Sequence, residues 1–412
     1  MQQKICGEKK NCSPQLLSAA KQQTECPEAL ENISQNCRIP GFPVVSRVKK
    51  KTRKNLDPRG IENKLLSHCY WNSVLQNLMH VPFFLHWISS HVRTLDCVDH
   101  IEDTLYKKGF EKPQHCARCE MKKLIQDYWG PEDPKTPIQL QNQALCNLKE
   151  IAWYITQLDP EGQEDTHELL LFLFNDQHGL FRGHHLWHEQ AAAIFQTTIA
   201  TFYTCNSCSV EREGDPDFHN QLSVRVDENF PSLVEAIGNH FDIEWVEVNC
   251  REEGCAGRMA ARFPRIRVAP KVLIVHLGIY RYSAWVAGYE KLLHPIGIPE
   301  ELELKWYHEN PKKPLKYRLS GVIAHEGPSI HEGHYVACVR SPGTNPFYQL
   351  SDASPRRALS VGEFTSNPQS MEGKKKVSRK NENFMVYMLT YIAVEEVVEK
   401  VVKERRMVSE LR

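Results

Sequence analysis

The sequence predicts an α+β protein in which helices come first and strands follow. Between about 69 and 174, apolar residues recur at the three- and four-residue spacing of helices that bury one face. From about 190 onward the apolar segments are short and rich in β-branched and aromatic residues, which is typical of strands. Helices and strands that are segregated along the chain indicate the α+β class rather than alternating βαβ units.

Three helices are predicted in the first part of the chain. The first begins near Cys69, and Pro82 is expected to end or kink it. The second covers about 138–157. The third covers 165–174 and starts with acidic side chains, which suit the positive end of a helix dipole.

Five strands are predicted in the second part of the chain. They cover 195–203, 271–277, 317–325, 334–340 and 384–391. The segment 271–277 is apolar almost throughout, so we expect it to be a fully buried central strand.

Both ends of the chain and one internal segment lack these patterns. Residues 1–55 are polar, contain four cysteines at no usual zinc spacing, and end in a basic run at 47–54. This composition favours a weakly ordered, solvated tail, with nuclear import or phosphate binding as the alternative. Residues 366–383 are expected to form an exposed, lysine-rich loop, and residues 396–412 a charged tail.

Composition argues against several classes of partner. Lys plus Arg and Asp plus Glu each number 51 of 412 residues, so a zero net charge gives no argument for nucleic acid or a membrane surface. The sequence has no apolar run near 18 residues and does not begin with a secretory signal. We therefore expect an intracellular protein, cytoplasmic or nuclear, whose 14 cysteines are thiols or metal ligands rather than disulfides.

Cys69 is the first candidate catalytic residue. It lies at the start of a predicted helix, where backbone N–H groups and the helix dipole stabilise a thiolate. The thiolate is the form that attacks carbonyl carbon, so this position favours a nucleophile. The alternative is a buried, inert cysteine.

A histidine and a neighbouring acid complete the candidate catalytic set. His334 opens an apolar strand after a glycine, and imidazole transfers protons near neutral pH. Asp352, next to Ser351, ends a segment that could run beside the histidine strand and orient the imidazole. The alternatives are a structural histidine and a turn aspartate.

Two cysteine pairs predict one structural zinc site. Cys205 and Cys208 are separated by two residues, and Cys250 and Cys255, roughly 40 residues later, by four. Each pair has turn-forming neighbours, so two hairpin tips could supply four thiolates to a tetrahedral ion. Four protein ligands leave no open position, which indicates a structural rather than a catalytic metal.

A further pair, Cys116 and Cys119, leaves two interpretations open. With His115 beside it and Cys97 and His100 upstream, it could form a second zinc site. The interpretation that we favour from sequence is that these cysteines pack at the start of a helix.

Taken together, the motifs resemble the ubiquitin-specific protease family of cysteine deubiquitinases. The resemblance runs from about 57 to 395, with every block in order. The matching blocks are GIEN at 60–63, CYWNSVLQ at 69–76, QEDTHEL at 163–169, the cysteine pairs, VLIVHL at 272–277, HEG at 325–327, GHY at 333–335, FYQLSD at 347–352 and YMLTY at 387–391.

The resemblance implies a papain-like thumb–palm–fingers fold with a zinc-bound fingers subdomain. The catalytic domain would cover 56–395, with the thumb at about 56–185, the fingers at about 190–265 and the palm in the remainder. Ubiquitin or polyubiquitin on target proteins would be the partner. No organic cofactor is expected.

The resemblance also implies roles for individual residues. Cys69 would attack the carbonyl of the terminal glycine of ubiquitin to form a thioester, and His334 would carry the proton. Asp352, helped by Ser351, would orient His334. Asn63 and the Cys69 backbone N–H would stabilise the oxyanion.

Four further residues in the matched motifs are candidates for binding substrate. Asp165 and Glu168 would grip the basic, extended tail of ubiquitin, although both also suit a helix N-terminus. Gln163 lies in the same motif as Asp165 and Glu168, and Gly333 lies in the motif of His334. Both are expected to line the tail of ubiquitin.

Two departures from the family pattern bear on activity. Asn63 precedes Cys69 by one residue more than usual, and the intervening residues 64–68 include no glycine. Ser351 stands where the family has an acid or amide. The alternatives to an active deubiquitinase are therefore a weak or inactive ubiquitin-binding scaffold, and a protease for a ubiquitin-like modifier.

Overall fold

The computed structural model describes residues 58–63, 67–93, 97, 113–130, 135–156, 158, 162–177, 179–227, 229–283, 288–292, 296–312, 315–340, 347–357 and 385–394. The predicted tails at 1–55 and 396–412 and the predicted loop at 366–383 lie outside these residues. So do residues 64–66, ahead of Cys69, and His100.

Six helices form the first layer of the described chain. They are α1 Cys69–Leu78, α2 Pro82–Ser89, α3 Ala117–Tyr128, α4 Gln143–Ile155, α5 Thr166–Leu173 and α6 His185–Phe195. All residues of α1 are buried, so this helix lies at the centre of the layer. The helices predicted at 69, 138–157 and 165–174 are confirmed as α1, α4 and α5. Among the described helices, none is long and apolar enough to span a membrane.

Pro82 begins a helix, so the prediction that it ends or kinks the first one was wrong. The first helix already ends at Leu78, and Pro82 occupies the first turn of α2. Proline is well suited to that position because the N–H it lacks would have no partner inside the helix. Side chains cap four later helices; at α4, Asn142 accepts from the Leu145 N–H at 3.1 Å, and at α5, Asp165 accepts from the His167 N–H at 2.8 Å.

An eight-stranded sheet forms the second layer. Its strands are β4 Leu222–Arg225, β7 Val272–Gly278, β10 Glu301–Glu303, β11 Lys316–Ser329, β12 Glu332–Arg340, β13 Phe347–Ser351, β14 Ser354–Arg357 and β15 Met385–Ala393. They run in the order β14-β13-β12-β11-β15-β7-β4, with β10 paired to β11. The predicted strands at 271–277, 317–325, 334–340 and 384–391 are confirmed as β7, β11, β12 and β15.

A five-stranded sheet extends from this layer. It contains β1 Thr197–Cys205, β2 Glu211–Glu213, β3 Asp217–His219, β5 Glu244–Glu247 and β6 Met259–Val268. The helix α7 Leu233–His240 and the hairpin of β8 Tyr280–Ser283 with β9 Gly288–Lys291 complete the fold. The strand predicted at 195–203 is confirmed as β1, but α6 was not predicted and extends helix to Phe195.

One hydrophobic core joins the helical layer to the eight-stranded sheet. Within it, α1 packs against β11, β12 and β13, and α5 packs against α1. The start of α1 lies beside the start of β12, because the Cys69 thiol hydrogen-bonds with the backbone of Tyr335, the residue after His334. The elements that carry the candidate catalytic residues therefore adjoin between the two layers.

Candidate active site

Cys69 is the first residue of α1, and its side chain is fully buried. Its thiol donates a hydrogen bond to Gln163 Oε1 over 3.6 Å. Burial raises the pKa of the thiol to about 11, although hydrogen bonding with the Tyr335 backbone opposes part of that shift. The thiol is consequently protonated at neutral pH in this arrangement, and nucleophilic attack needs a base to remove its proton.

His334 lies at the start of β12, and a hydroxyl holds one side of its ring. Its Nε2 is 2.9 Å from Ser351 Oγ, at the end of β13, and 4.0 Å from Asp352 Oδ2. Because Nε2 is engaged by Ser351, Nδ1 is the nitrogen left to exchange a proton with a thiol. Gly333 precedes the histidine with a φ of 139°, a conformation that L side chains rarely adopt.

Asp352 is held by the helix that carries the nucleophile. Its Oδ1 accepts from Asn72 Nδ2 at 2.8 Å, and its backbone carbonyl accepts from Gln76 Nε2 at 3.1 Å and from the Ile61 N–H at 3.0 Å. The residue has a φ of 49°. The turn between β13 and β14 is therefore fastened to α1, and the direct partner of the imidazole is Ser351 rather than Asp352.

Asn63 binds the same turn. Its Nδ2 donates to Asp352 Oδ2 at 3.1 Å, and its Oδ1 accepts from the His68 N–H at 3.1 Å. Asn63 thus links the Asp352 turn to the residue before the nucleophile. Stabilisation of the oxyanion by Asn63 stays a prediction.

Sequence reasoning missed Asn72 and Gln76 as part of this site. They lie four residues apart on α1, so both amides face the same side of the helix. Buried polar side chains require hydrogen-bond partners. Two amides within an apolar helical pattern were therefore a usable signal that this helix binds another polar segment.

The predicted substrate-binding residues have different surroundings. Gln163 reaches the Cys69 thiol and also donates to the Ile330 carbonyl at 3.2 Å. Asp165 caps α5 and accepts a hydrogen bond from Tyr387 Oη at 2.8 Å. The Glu168 side chain is 61% exposed, with His167 Nδ1 at 3.8 Å.

A cleft of about 560 Å³ lies among α5, β4, β7 and β8. Its lining includes the stacked rings of His167 and His276, whose centroids are 4.1 Å apart, together with Tyr280 and Asp227. Burial lowers the pKa of His276 to about 3, so its ring is neutral at physiological pH. The cleft is bordered by the α5 helix that Asp165 caps.

The four cysteines of the predicted zinc site lie together at the tip of the five-stranded sheet. Cys205 Sγ is 3.8 Å from Cys255 Sγ, and Cys208 Sγ is 3.7 Å from Cys250 Sγ. All four sulfur atoms lie within 4.8 Å of one another. Sulfur atoms on a tetrahedral zinc ion with bonds of about 2.3 Å are about 3.8 Å apart, so the cluster fits the ion.

Backbone groups around these sulfur atoms also suit thiolate ligands. The N–H groups of Ser207, Glu252 and Gly257 point at three of the sulfur atoms over 3.4 to 3.5 Å. At Gly257, a Cβ would lie only 2.6 Å from Cys205 Sγ, so glycine is needed for the two hairpin tips to approach. Residues present at this tip therefore fit a structural zinc ion.

Comparison with known proteins agrees with the geometry. A family model described as "Ubiquitin carboxyl-terminal hydrolase" matches residues 59–391. Mouse ubiquitin carboxyl-terminal hydrolase 17-like protein A is 26% identical over 301 residues, which cover 70% of this chain and 51% of the relative. Ubiquitin carboxyl-terminal hydrolase 10 of Saccharomyces cerevisiae is 22% identical over 361 residues, covering 70% and 43%. The chain thus spans about half the length of these curated relatives.

Solved structures share the fold. A structure described as the SAGA DUB module of Ubp8, Sgf11, Sus1 and Sgf73 bound to monoubiquitin matches with a TM-score of 0.64 at 20% identity, covering 92% of this chain and 76% of that chain. A second, described as bound to ubiquitin aldehyde, has a TM-score of 0.62 at the same identity and coverage. The expected α+β fold with thumb, palm and fingers is confirmed.

Proposed function

The chain belongs to the ubiquitin carboxyl-terminal hydrolase family, and from this we propose that it is a deubiquitinating cysteine protease. It hydrolyses isopeptide or peptide bonds after the C-terminal glycine of ubiquitin. The observation that carries the proposal is that the Cys69 thiol, at the start of a buried helix, hydrogen-bonds with the backbone of Tyr335, the residue after His334, whose Nε2 is 2.9 Å from Ser351 Oγ. Curated relatives that bear the name of this hydrolase support it.

In the proposed reaction, His334 Nδ1 removes the proton from Cys69 Sγ as the sulfur attacks the glycine carbonyl carbon. A carbon–sulfur bond forms and the carbonyl becomes an oxyanion. Collapse of the oxyanion breaks the carbon–nitrogen bond, and His334 returns the proton to the leaving lysine amine. Water, deprotonated by His334, then attacks the thioester carbonyl and forms a carbon–oxygen bond. The carbon–sulfur bond breaks, His334 returns the proton to the Cys69 sulfur, and ubiquitin leaves with a free carboxylate.

The buried thiol implies that substrate completes the site. In the free enzyme, the Cys69 proton is shared with Gln163 Oε1, and burial keeps the pKa of the thiol at about 11. We expect the incoming glycine to displace the Gln163 contact and to bring Sγ within reach of His334. Proton transfer from the Cys69 thiol to the His334 imidazole then accompanies the attack on the glycine carbonyl instead of preceding it.

Substrate contacts follow from the placement of the acidic residues. The C-terminal tail of ubiquitin is extended and basic, and it would run past Asp165 and Glu168 towards Cys69. Gln163 and Gly333 flank the reacting end. Asp165 already accepts hydrogen bonds from Tyr387 and from the α5 backbone, so its carboxylate is held ready rather than reorganised on binding.

The fingers would hold one structural zinc ion on Cys205, Cys208, Cys250 and Cys255. The ion joins the turn after β1 to the loop between β5 and β6, and so stiffens the sheet against which ubiquitin would lie. It takes no part in the chemistry.

The experiment that tests the proposal uses ubiquitin carrying an electrophilic C-terminus, with the product read by intact mass. The expected result is a single covalent adduct that is lost in Cys69→Ala and retained in Cys146→Ser, because Cys146 is an exposed cysteine outside the site. Hydrolysis of ubiquitin fused to a fluorophore then measures turnover.

The same assay distinguishes the alternatives. Absence of adduct with retained ubiquitin binding would overturn the protease proposal and favour a ubiquitin-binding scaffold. The scaffold is the second candidate because Ser351 contacts His334 where an acid or amide is usual, and because the Cys69 thiol is protonated. Reaction with a ubiquitin-like modifier in place of ubiquitin would identify a different substrate for the same chemistry.

A further inference from the structure

We propose that Gln163 is a catalytic residue: its side-chain amide turns over when the Cys69 sulfur loses its hydrogen, and then donates to that sulfur. His325 and Lys291 are positioning residues that orient the amide. The inference rests on the proposed protease function. In the free enzyme, Gln163 Oε1 accepts from the Cys69 thiol over 3.6 Å, and Gln163 Nε2 lies 3.2 Å from the Ile330 carbonyl. The same Nε2 is 3.4 Å from His325 Nε2.

Lys291 fixes the hydrogen on the His325 ring. An ammonium group only donates hydrogen bonds, and Lys291 Nζ lies 3.1 Å from His325 Nδ1, 2.8 Å from the His325 carbonyl and 2.9 Å from the Gly327 carbonyl. Three N–H groups thus meet three acceptors, one of which is Nδ1. Tyr280 Oη, 3.0 Å from the same nitrogen, can also donate to it. Burial lowers the pKa of His325 to about 3, so the ring is neutral and its one hydrogen lies on Nε2.

This tautomer places two donors face to face. The Nε2–H of the fully buried His325 ring meets the Gln163 amide nitrogen, which also donates, and a buried N–H without an acceptor costs free energy. A half-turn of the amide exchanges its oxygen and nitrogen, so that Oε1 accepts from the ring and the N–H groups face Cys69 Sγ. The half-turn gives up the hydrogen bond to the Ile330 carbonyl. Each orientation therefore leaves one contact unfavourable.

The hydrogen on the sulfur decides between the two orientations. A thiol donates to Oε1 and favours the orientation of the free enzyme. A thioester sulfur or a thiolate has no hydrogen to donate and accepts from the amide N–H instead, which replaces the contact that substrate displaces. The turned Gln163 amide then stabilises the charge that develops on Cys69 Sγ as the carbon–sulfur bond breaks. The amide neither gains nor loses a proton, so the atoms and charges of the proposed reaction stay balanced.

Two hairpins contact this network. Ile330 lies in the turn between β11 and β12, and Lys291 is the last residue of β9. Because the turned amide gives up the Ile330 carbonyl, movement of that turn away from Gln163 favours the turned orientation. The positions of the hairpins are thus linked to the donor that faces the nucleophile.

The test separates formation of the thioester from its breakdown. With ubiquitin carrying a fluorogenic ester at its C-terminus, acylation is fast and breakdown of the thioester sets kcat. Gln163→Leu removes the donor, so breakdown should slow on the order of 10- to 100-fold, as expected for a hydrogen bond to a charged group. Both kcat and KM should fall, with kcat/KM nearly unchanged, and the thioester should accumulate by intact mass. Gln163→Glu keeps the acceptors but loses the donor, and should behave in the same way.

Gln139→Leu is the matched control, because Gln139 also donates to a backbone carbonyl, that of Pro137, but is exposed and lies outside the site. Its kcat and KM should equal those of the wild type. Breakdown of the thioester at the wild-type rate in Gln163→Leu would overturn the inference alone, whether or not kcat/KM is reduced. Absence of a thioester in the wild type would overturn the proposed function and this inference with it.

A second measurement requires no turnover and no Gln163 variant. Nitrogen NMR shifts distinguish the two tautomers of histidine, and His325→Gln identifies the His325 signals by their loss. The wild type should carry the hydrogen on Nε2. Lys291→Met should populate the Nδ1–H form, because Tyr280 Oη can accept as well as donate, whereas Lys123→Met, at an exposed lysine paired with Glu120, should leave the signals unchanged. A wild-type ring with its hydrogen on Nδ1 would overturn the inference.

Discussion

At the scale of single residues, the His334 imidazole has two polar neighbours, Ser351 and Asp352. Ser351 Oγ contacts His334 Nε2 directly, at 2.9 Å, whereas the Asp352 carboxylate is 4.0 Å away and accepts hydrogen bonds from Asn63 and Asn72. A hydroxyl orients an imidazole but carries no charge to stabilise an imidazolium. The negative charge of Asp352 therefore acts at longer range, and its hydrogen bonds fix the turn that presents Ser351.

Substitution of these two residues should separate orientation from charge. Ser351→Ala removes one hydrogen bond of about 1 kcal/mol, so kcat/KM should fall by roughly three- to tenfold. Asp352→Asn removes the charge and turns an amide against the amides of Asn63 and Asn72, so the loss should be on the order of 100-fold. The assay is hydrolysis of fluorogenic ubiquitin, with the exposed Asp176→Asn as control. A smaller loss for Asp352→Asn than for Ser351→Ala would contradict this division.

The Cys69 thiol should show the reactivity of a protonated, buried group. With the pKa raised to about 11, the thiolate fraction at pH 8 is about one in a thousand, and it rises tenfold with each pH unit. The alkylation rate of Cys69 by iodoacetamide in the free enzyme should therefore increase continuously from pH 7 to pH 10. Peptide mass spectrometry separates it from the other cysteines. A plateau below pH 9 would instead reveal a thiolate already paired with His334.

At the scale of elements, α1 positions both halves of the site. Its first residue is the nucleophile, and one turn later Asn72 and then Gln76 bind the Asp352 turn. The same helix packs on β12, where His334 lies. Movement of α1 would therefore shift the nucleophile and the support of the base together.

Sequence patterns predicted the elements better than the contacts between them. Apolar periodicity located α1, α5 and the central strands, because burial of one face is written directly in the spacing of residues. It could not decide between Ser351 and Asp352 as the partner of His334. That choice depends on the positive φ of Asp352, which turns the carboxylate towards α1, and on contacts with residues nearly 300 positions away. The prediction that Pro82 ends or kinks the first helix was wrong because proline is found both after helix ends and at helix starts, and the sequence alone does not distinguish the two.

The hairpin of β11 and β12 should not tolerate a side chain at Gly333. A Cβ there would overlap the Glu326 carbonyl oxygen, and the φ of 139° is strained for an L residue by about 1–3 kcal/mol. We expect Gly333→Ala to displace His334 and to lower kcat by about 100-fold or more, since small misplacements of a catalytic group have effects of that size.

Gly297→Ala is the matched control for that substitution. A Cβ at Gly297 would meet its nearest neighbour, the Pro231 carbonyl oxygen, at an ordinary contact distance of 3.5 Å. Its kcat and melting temperature should stay near those of the wild type. Full activity in Gly333→Ala would show that the hairpin can shift without moving the imidazole.

At the scale of the whole molecule, two cysteine clusters lie in different parts of one fold. The fingers cluster comes from two pairs with short spacing, which sequence reveals directly. The cluster in the helical layer brings His91, from an irregular segment, together with Cys97, Cys116 and Cys119. It depends on the packing of α2 and α3, so residue spacing alone could not identify it.

Buried histidines give the whole molecule a defined response to acid. Burial lowers the pKa of His80 to about 4 and those of His276 and His325 to about 3, from an ordinary value of 6.5. The unfolded chain binds protons at these rings as the pH falls through 6.5, whereas the folded chain does so only near pH 4 to 3. Their contribution to stability is therefore complete above about pH 6.5 and declines as the pH falls below it.

The melting temperature should accordingly drop by on the order of 5 °C or more between pH 7.5 and pH 5. Carboxylates also titrate in acid, so His80→Phe serves to isolate the histidine effect. His80 packs edge-on against Tyr128 and Trp129, and Phe keeps this ring packing while removing the titrating group. The variant loses the His80 Nδ1 contact with the Gln76 carbonyl, so it should melt lower at pH 7.5. Its melting temperature should nevertheless fall less than that of the wild type between pH 7.5 and pH 5, because one fewer buried ring has to be kept neutral. Equal pH slopes for the two proteins, measured by scanning calorimetry, would show that His80 binds its proton equally in the folded and unfolded chains.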